Sequence, residues 1–111
     1  MIESTSRNLD RGDRRLTAAE AVRRIGDGAT IVTSGYIGAG YPEDLIHHLA
    51  ERFRETGEPR GLTLVHAAGQ GDWRDRGLSE LAQPGMLKRV IGGYFATAPA
   101  ICDLIAEELI E

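Results

Sequence analysis

The sequence predicts an α/β domain in three layers, with helices packed on a mostly parallel sheet. Three observations carry this reading. A strand, a loop and a helix follow one another three times, an alternation that favours parallel strands joined by crossover helices. The strand segments are short and apolar throughout, as expected of strands covered on both faces. Fourteen glycines stand between the apolar runs of this 111-residue chain, well above the usual frequency of about 7%. They mark tight turns at strand ends.

The elements follow in order. Residues 1–15 are rich in Ser, Arg, Asp and Asn without an apolar period, and read as a mobile tail. Arg7, Arg11, Arg14 and Arg15 alternate there with Asp10 and Asp13, with no aromatic platform nearby, so the tail reads as solvated and not as a nucleic-acid arm. Thr17 and Glu20 have capping-box spacing, and Ala18, Ala21, Val22 and Ile25 follow at helical spacing, with Gly26 or Gly28 expected to stop the helix. Thr30–Thr33 is a β-branched strand. Pro42 suits a first helical turn, Glu43 and Asp44 suit its positive end, and Leu45, Ile46, Leu49 and Phe53 form an apolar stripe ending before Gly57. Leu62–His66 is the second strand. Leu78, Leu81 and Ala82 suggest a short helix, and Pro84-Gly85 a turn. A third strand is expected over Arg89–Phe95. A final amphipathic helix is expected on Ala98, Ile101, Ile105 and Leu109. One domain over residues 16–111 accounts for all of this.

Composition narrows the function classes. The chain is 41% hydrophobic and 27% charged, ordinary for a globular domain. A net charge of -4 gives no general attraction to phosphate backbones, so nucleic acid is not an expected partner. Cys102 is the single cysteine, which precludes an intrachain disulfide and fits a reducing compartment. No signal-peptide core stands near the N-terminus, and no apolar run reaches the roughly 20 residues a bilayer span needs. A cytoplasmic location without membrane contact is the expectation.

Ligands of open α/β sheets gather where the strands end at their carboxyl side. All three such ends carry small-residue loops: Ser34 to Gly40, Ala68 to Asp72, and Gly92 to Ala96. The first loop also feeds a helix N-terminus, which favours anions. Glycines that merely make turns are the plain alternative, and the convergence of three loops favours a site. Gly35, Gly38 and Gly40 give G-x-x-G-x-G, which is not the dinucleotide fingerprint, and no Gly-Lys-Ser/Thr follows to make a phosphate loop. Gln70, whose amide both donates and accepts, is the side chain best suited to a polar substrate contact; the other reading is that it braces its own loop. His66 stands near the second loop, where a local hydrogen bond competes with a ligand contact. His47 and His48 lack a ligand set at metal spacing, so no metal is expected. Cys102 reads as a small core residue. Trp73 reads as packing over the site or over further polypeptide.

From Asp27 to Pro42 the segment resembles the signature of family I coenzyme A transferases: Asp-Gly, an apolar strand, a Gly-Gly-Phe position and then Gly-x-Pro. Thr33 replaces an apolar residue, Ser34 the first Gly and Tyr36 the Phe. The stretches Glu55–Val65, Ala67–Asp72 and Lys88–Gly93 are similar to the fused-chain acetate or propionate subgroup. The resemblance implies the N-terminal portion of a coenzyme A transferase domain, cut off before the nucleophilic glutamate. It implies acyl-CoA and carboxylate substrates, a glutamyl-CoA thioester, and coenzyme A as substrate with no cofactor. Ser34, Gly35, Tyr36, Gly38, Gly40, Gly69, Gln70 and Gly71 would then wall the substrate and oxyanion loops, with Gly92, Gly93 and His66 as further candidates. The chain alone is expected to be inactive, and to form a homo-oligomer or pair with a C-terminal half. A sugar-phosphate isomerase-like binder, and a non-catalytic subunit, are the rival readings; the first would need a basic phosphate clamp and an acid-base residue, and neither is seen.

Overall fold

The structure is a computed structural model and describes residues 14–111; most of the expected tail, residues 1–13, lies outside the described residues. The element order is α1 (Ala18–Val22), β1 (Thr30–Thr33), α2 (Glu43–Thr56), β2 (Leu62–His66), a 3-10 helix (Leu78–Leu81), β3 (Leu87–Gly92) and α3 (Pro99–Ala106). The strands form a parallel sheet in the order β1-β2-β3. This is the α/β class that the alternation predicts.

Local chemistry sets the elements. At α1 the Thr17 hydroxyl accepts from the Glu20 amide at 3.1 Å while the Thr17 amide donates to Glu20 at 2.8 Å, a complete capping box. The helix stops at Val22, earlier than the glycines suggested. Arg52 of α2 donates to the Val22 and Ile25 carbonyls at 2.9 and 2.6 Å, so a guanidinium satisfies the carbonyls that a further helical turn would have used. Asp27 and Gly28 fasten the entry to β1: Asp27 accepts from the Arg60 amide and Gly28 donates to the Arg60 carbonyl. Gly57 closes α2 in the left-handed conformation at φ 78°.

The core lies on one face of the sheet. Ile46, Leu49, Ala50 and Phe53 of α2 pack with Leu62 and Leu64 of β2, Leu87 and Val90 of β3, and Leu78, Leu81 and Ile101. Leu45 departs from the expected stripe and is exposed, because it lies one 100° step away from Ile46. The opposite face carries Val32, Val65 and Ile91 in register. Val32 and Ile91 there are 73% and 49% exposed. Apolar strand residues therefore do point both ways, but among the described residues a helical layer covers only one side.

Two boundaries differ from the sequence reading. β3 begins at Leu87, which pairs with Leu62 across a register shift, and ends at Gly92. In α3 the buried pair is Ile101 and Leu104, while Ile105 is exposed, as is Leu109 beyond the helix end. The helix ends at Ala106, and Glu108 turns the chain at φ 59°. Glu111 then lies along β3, donating to the Lys88 carbonyl at 2.9 Å and accepting from the Val90 amide at 2.7 Å. That pair of bonds is the pattern of a parallel bridge.

Candidate functional site

The three glycine-rich loops meet at one edge. The Ile37 amide donates to the Gly69 carbonyl at 2.7 Å, and the Gly71 amide donates to the Ile37 carbonyl at 2.8 Å. Both backbone groups of Ile37 thus join the first loop to the second, and Ile37 takes φ 54° to do so. A β-branched residue rarely adopts that region, so the two bonds outweigh a local strain of roughly 1–3 kcal/mol. The third loop joins through the Gly93 amide, which donates to the Ala67 carbonyl, and through the Thr97 carbonyl, which accepts from the Trp73 amide at 3.0 Å.

Missing side chains make this closeness possible. A Cβ at Gly69 would stand 2.5 Å from Thr97 Oγ1 and 2.8 Å from Tyr94 Cδ2, and one at Gly71 would overlap the Thr97 carbonyl oxygen. Gly35, at φ 146°, lies against the Tyr41 backbone. Gly92 lies under the His66 ring. Gly38 and Gly40 are exposed at the rim with Ser34 and Tyr36.

The polar candidates face inward. Gln70 is 1% exposed and donates through Nε2 to the Thr33 carbonyl at 3.3 Å. His66 is buried; its Nδ1 is 2.9 Å from the Ala68 carbonyl and its ring meets Phe95 edge to face. A carbonyl only accepts, so Nδ1 carries the hydrogen of this bond. Four buried side-chain atoms find no partner among the described residues: Thr33 Oγ1, His66 Nε2, Gln70 Oε1 and Thr97 Oγ1. All four belong to the strand ends and loops of this edge. Unpaired buried polar atoms are rare in folded chains and cost about 1–3 kcal/mol each. Thr97 carries no motif or spacing signal, and Thr33 reads in the sequence only as a replacement of an apolar motif residue; the folded arrangement brings the two to this edge.

Charges sit around the rim. Asp72 accepts from the Arg76 and Arg74 amides at 3.0 Å each, and the Arg76 bond, chief among these, holds its carboxyl below the usual range. Pro42 occupies the N-cap of α2, one position before the expected first turn, and Glu43 and Asp44 already meet the helix's positive end. Glu43 also pairs with Arg76 at 3.1 Å. Cys102 is partly buried, with its thiol 3.5 Å from the Phe95 carbonyl. No group of three or more metal-ligating side chains occurs among the described residues, and no helix among them is long and apolar enough to cross a membrane.

His47 stands away from this edge, with Nδ1 2.9 Å from Glu80. The hydrogen bond and charge of Glu80 hold the imidazole above its ordinary pKa. Because the folded value is raised, the pair's contribution is full below the unfolded value of about 6.5 and fades as pH rises through the folded value. His47→Gln should therefore lower the melting temperature slightly near pH 5.5 and leave it unchanged near pH 9, by the same linkage. Thermal melts across that range check this, and a deficit that grows with pH would contradict it.

Short parallel strands ending in mutually bonded glycine loops place this chain among α/β proteins that gather ligands at strand carboxyl ends. The chain belongs to the coenzyme A transferase family, whose pattern it matches over residues 15–109. It is 40% identical over 97 residues to the acetate CoA-transferase YdiF of Escherichia coli O157:H7, a match covering 86% of this chain and 18% of that protein. A crystal structure of that acyl-CoA transferase, in a thioester complex with CoA, superposes with a TM-score of 0.83 at 38% identity, covering 86% of this chain and 20% of the other. The caffeate CoA-transferase of Acetobacterium woodii is 36% identical over 93 residues, 84% of this chain and 18% of its own length. A 3-oxoadipate CoA-transferase subunit of Acinetobacter baylyi is 41% identical over 79 residues, 70% of this chain and 31% of its own length. The chain thus spans about a fifth of the length of the acetate and caffeate transferases.

Proposed function

We propose that this chain supplies one wall of the active site of an enzyme that moves coenzyme A from a short-chain acyl-CoA to a carboxylic acid. A glutamate carboxylate, which no residue here matches, attacks the thioester carbonyl and expels the CoA thiolate, leaving an acyl-glutamyl anhydride. The thiolate attacks the glutamyl carbonyl of that anhydride, releasing the first acid and forming a glutamyl-CoA thioester. The second carboxylate reverses both steps and leaves as the new thioester. Coenzyme A is substrate, and no other cofactor enters. Ser34, Gly35, Tyr36, Gly38 and Gly40 line one side, and Gly69 and Gly71 the other. Gln70 is buried and braces the loops from inside, through its Nε2 bond to the Thr33 carbonyl.

The observation that carries this reading is the pair of bonds from Ile37 to Gly69 and Gly71, which draws the loops of two strands into one small-residue surface. Backbone amides at such a surface stabilise developing oxyanions. The enzyme works in the cytoplasm, as a homo-oligomer or with this chain paired to a C-terminal half. The kinship to a separate subunit favours a test in trans.

The purified chain given acetyl-CoA and a carboxylate should show no exchange above a heat-killed control. Adding the part of the E. coli acetate CoA-transferase that follows the matched region should restore exchange. Turnover by the chain alone would overturn the incompleteness; a stable pair without turnover would overturn the chemistry.

A further inference from the structure

An apolar cavity of about 300 Å³ opens at the loop edge, lined by Tyr36, Ile37, Ala68, Gly69, Trp73 and Tyr94. Its wall holds the chain's single tryptophan and two of its three tyrosines. Trp73 is 52% exposed, Tyr94 48% and Tyr36 68%. Large aromatic rings left half open around one hollow mark a place where something apolar binds.

Two of these rings, Trp73 and Tyr94, are held in place. Trp73 and Tyr94 meet edge to face with centroids 6.0 Å apart at 75°, a favoured aromatic arrangement. Trp73 takes φ 67°, a strained value for a bulky residue. Its amide is tied to the Thr97 carbonyl, while Asp72 beside it accepts from the Arg74 and Arg76 amides. The floor at Gly69 is bare backbone, and Tyr94 lies so close over it that a Cβ there would collide. Strain, a clamped turn and a missing side chain all keep this hollow open next to the bonded loops.

We propose that the cavity receives the acyl group of the thioester, and that Tyr36, Trp73 and Tyr94 make it prefer a planar, ring-sized acyl group to acetyl. This rests on the transferase reading above and replaces its short-chain acyl group with a ring-sized one. A cavity of about 150 Å³ lined by apolar side chains is enough to hold benzene. An acetyl methyl would leave most of the present space unfilled and forfeit its dispersion contacts. A flat ring would meet the aromatic wall in the edge-to-face or offset geometries that such rings favour.

The single indole gives one Nε1–H resonance, which reports on the wall directly. The 111-residue chain is titrated with S-benzoyl-N-acetylcysteamine and with S-acetyl-N-acetylcysteamine. The benzoyl thioester should move that resonance saturably and bind at least about tenfold more tightly, the scale on which apolar pockets discriminate. Ala68→Leu, which adds bulk to the cavity, should abolish the preference. If that variant does not fold, Tyr94→Leu at its half-exposed position serves the same comparison and should weaken benzoyl binding. Equal affinity for the two probes, an unmoved indole resonance, or a preference that survives in the folded variant overturns the proposal. The chain reconstituted in trans separates the two readings. Exchange with no preference for benzoyl-CoA over acetyl-CoA sinks the cavity's role and spares the transferase. A benzoyl-selective indole shift without exchange from either thioester sinks the transferase reading and leaves the cavity a ring-binding site.

Discussion

Replacing Gly71 with alanine should lower the melting temperature by on the order of 10 °C, by far more than a surface substitution would. The added Cβ would overlap the Thr97 carbonyl oxygen and would lie 3.0 Å from the Thr97 carbonyl carbon and 3.2 Å from the Arg76 carbonyl oxygen. These obstacles are backbone, so no rotamer change relieves them. The Thr97 carbonyl also accepts from Trp73, and Gly71 itself donates to Ile37. Relief of the clash therefore pulls on bonds among all three loops. Overpacking of this kind costs about 1–3 kcal/mol, and more where neighbours cannot move; each kcal/mol shifts the melting point of a domain near this size by about 4 °C. Gly26→Ala is the control, because a Cβ there meets nothing within 4 Å; it should stay within about 0.5 kcal/mol of the parent. Equal melting points for the two variants would mean the loops are not joined at Gly71.

Leu64→Ala should cost about 2–5 kcal/mol, a large part of the total stability of about 5–15 kcal/mol that a domain possesses. Leu64 is 0% exposed in the middle strand, between Ile31 and Val90 in register, and belongs to the single core beneath α2. Urea unfolding should show a lower midpoint with an unchanged slope, since the buried area is lost from one site and the folded state stays compact. Val32→Ala on the opposite face should cost less than about 1 kcal/mol, because its side chain is 73% exposed. If the Val32 variant cost as much as the Leu64 variant, the uncovered face would be covered in solution, and the one-sided core would be the wrong description.

Much of the fold was legible because its signals are short-range. The capping box at Thr17 and Glu20, the β-branched run at Thr30, the stripe on α2 with Gly57 after it, and the apolar run at Leu62 each need only a few neighbouring residues to be recognised. Errors fell where a distant partner decided the outcome. α1 ends early where Arg52, on another helix, donates to the carbonyl of its last residue, Val22, and to that of Ile25 just beyond it. β3 starts at Leu87 because Leu62 pairs with it, not because of any local propensity. In α3 the choice of Leu104 over Ile105 as the buried residue follows from where that helix lies against the core.

The site divides along the same line. Sequence alone placed a glycine-rich loop after each strand and supplied the motif from Asp27 to Pro42, since turn residues and motif order are properties of the chain read end to end. Tertiary structure decided that Ile37 joins two loops, that Gln70 turns inward, that Thr33 and Thr97 sit at the same edge, and that Trp73 and Tyr94 face a common hollow. Those relations connect residues far apart in the chain. The register of the parallel sheet brings them together, and no local pattern encodes that register before the strands have paired.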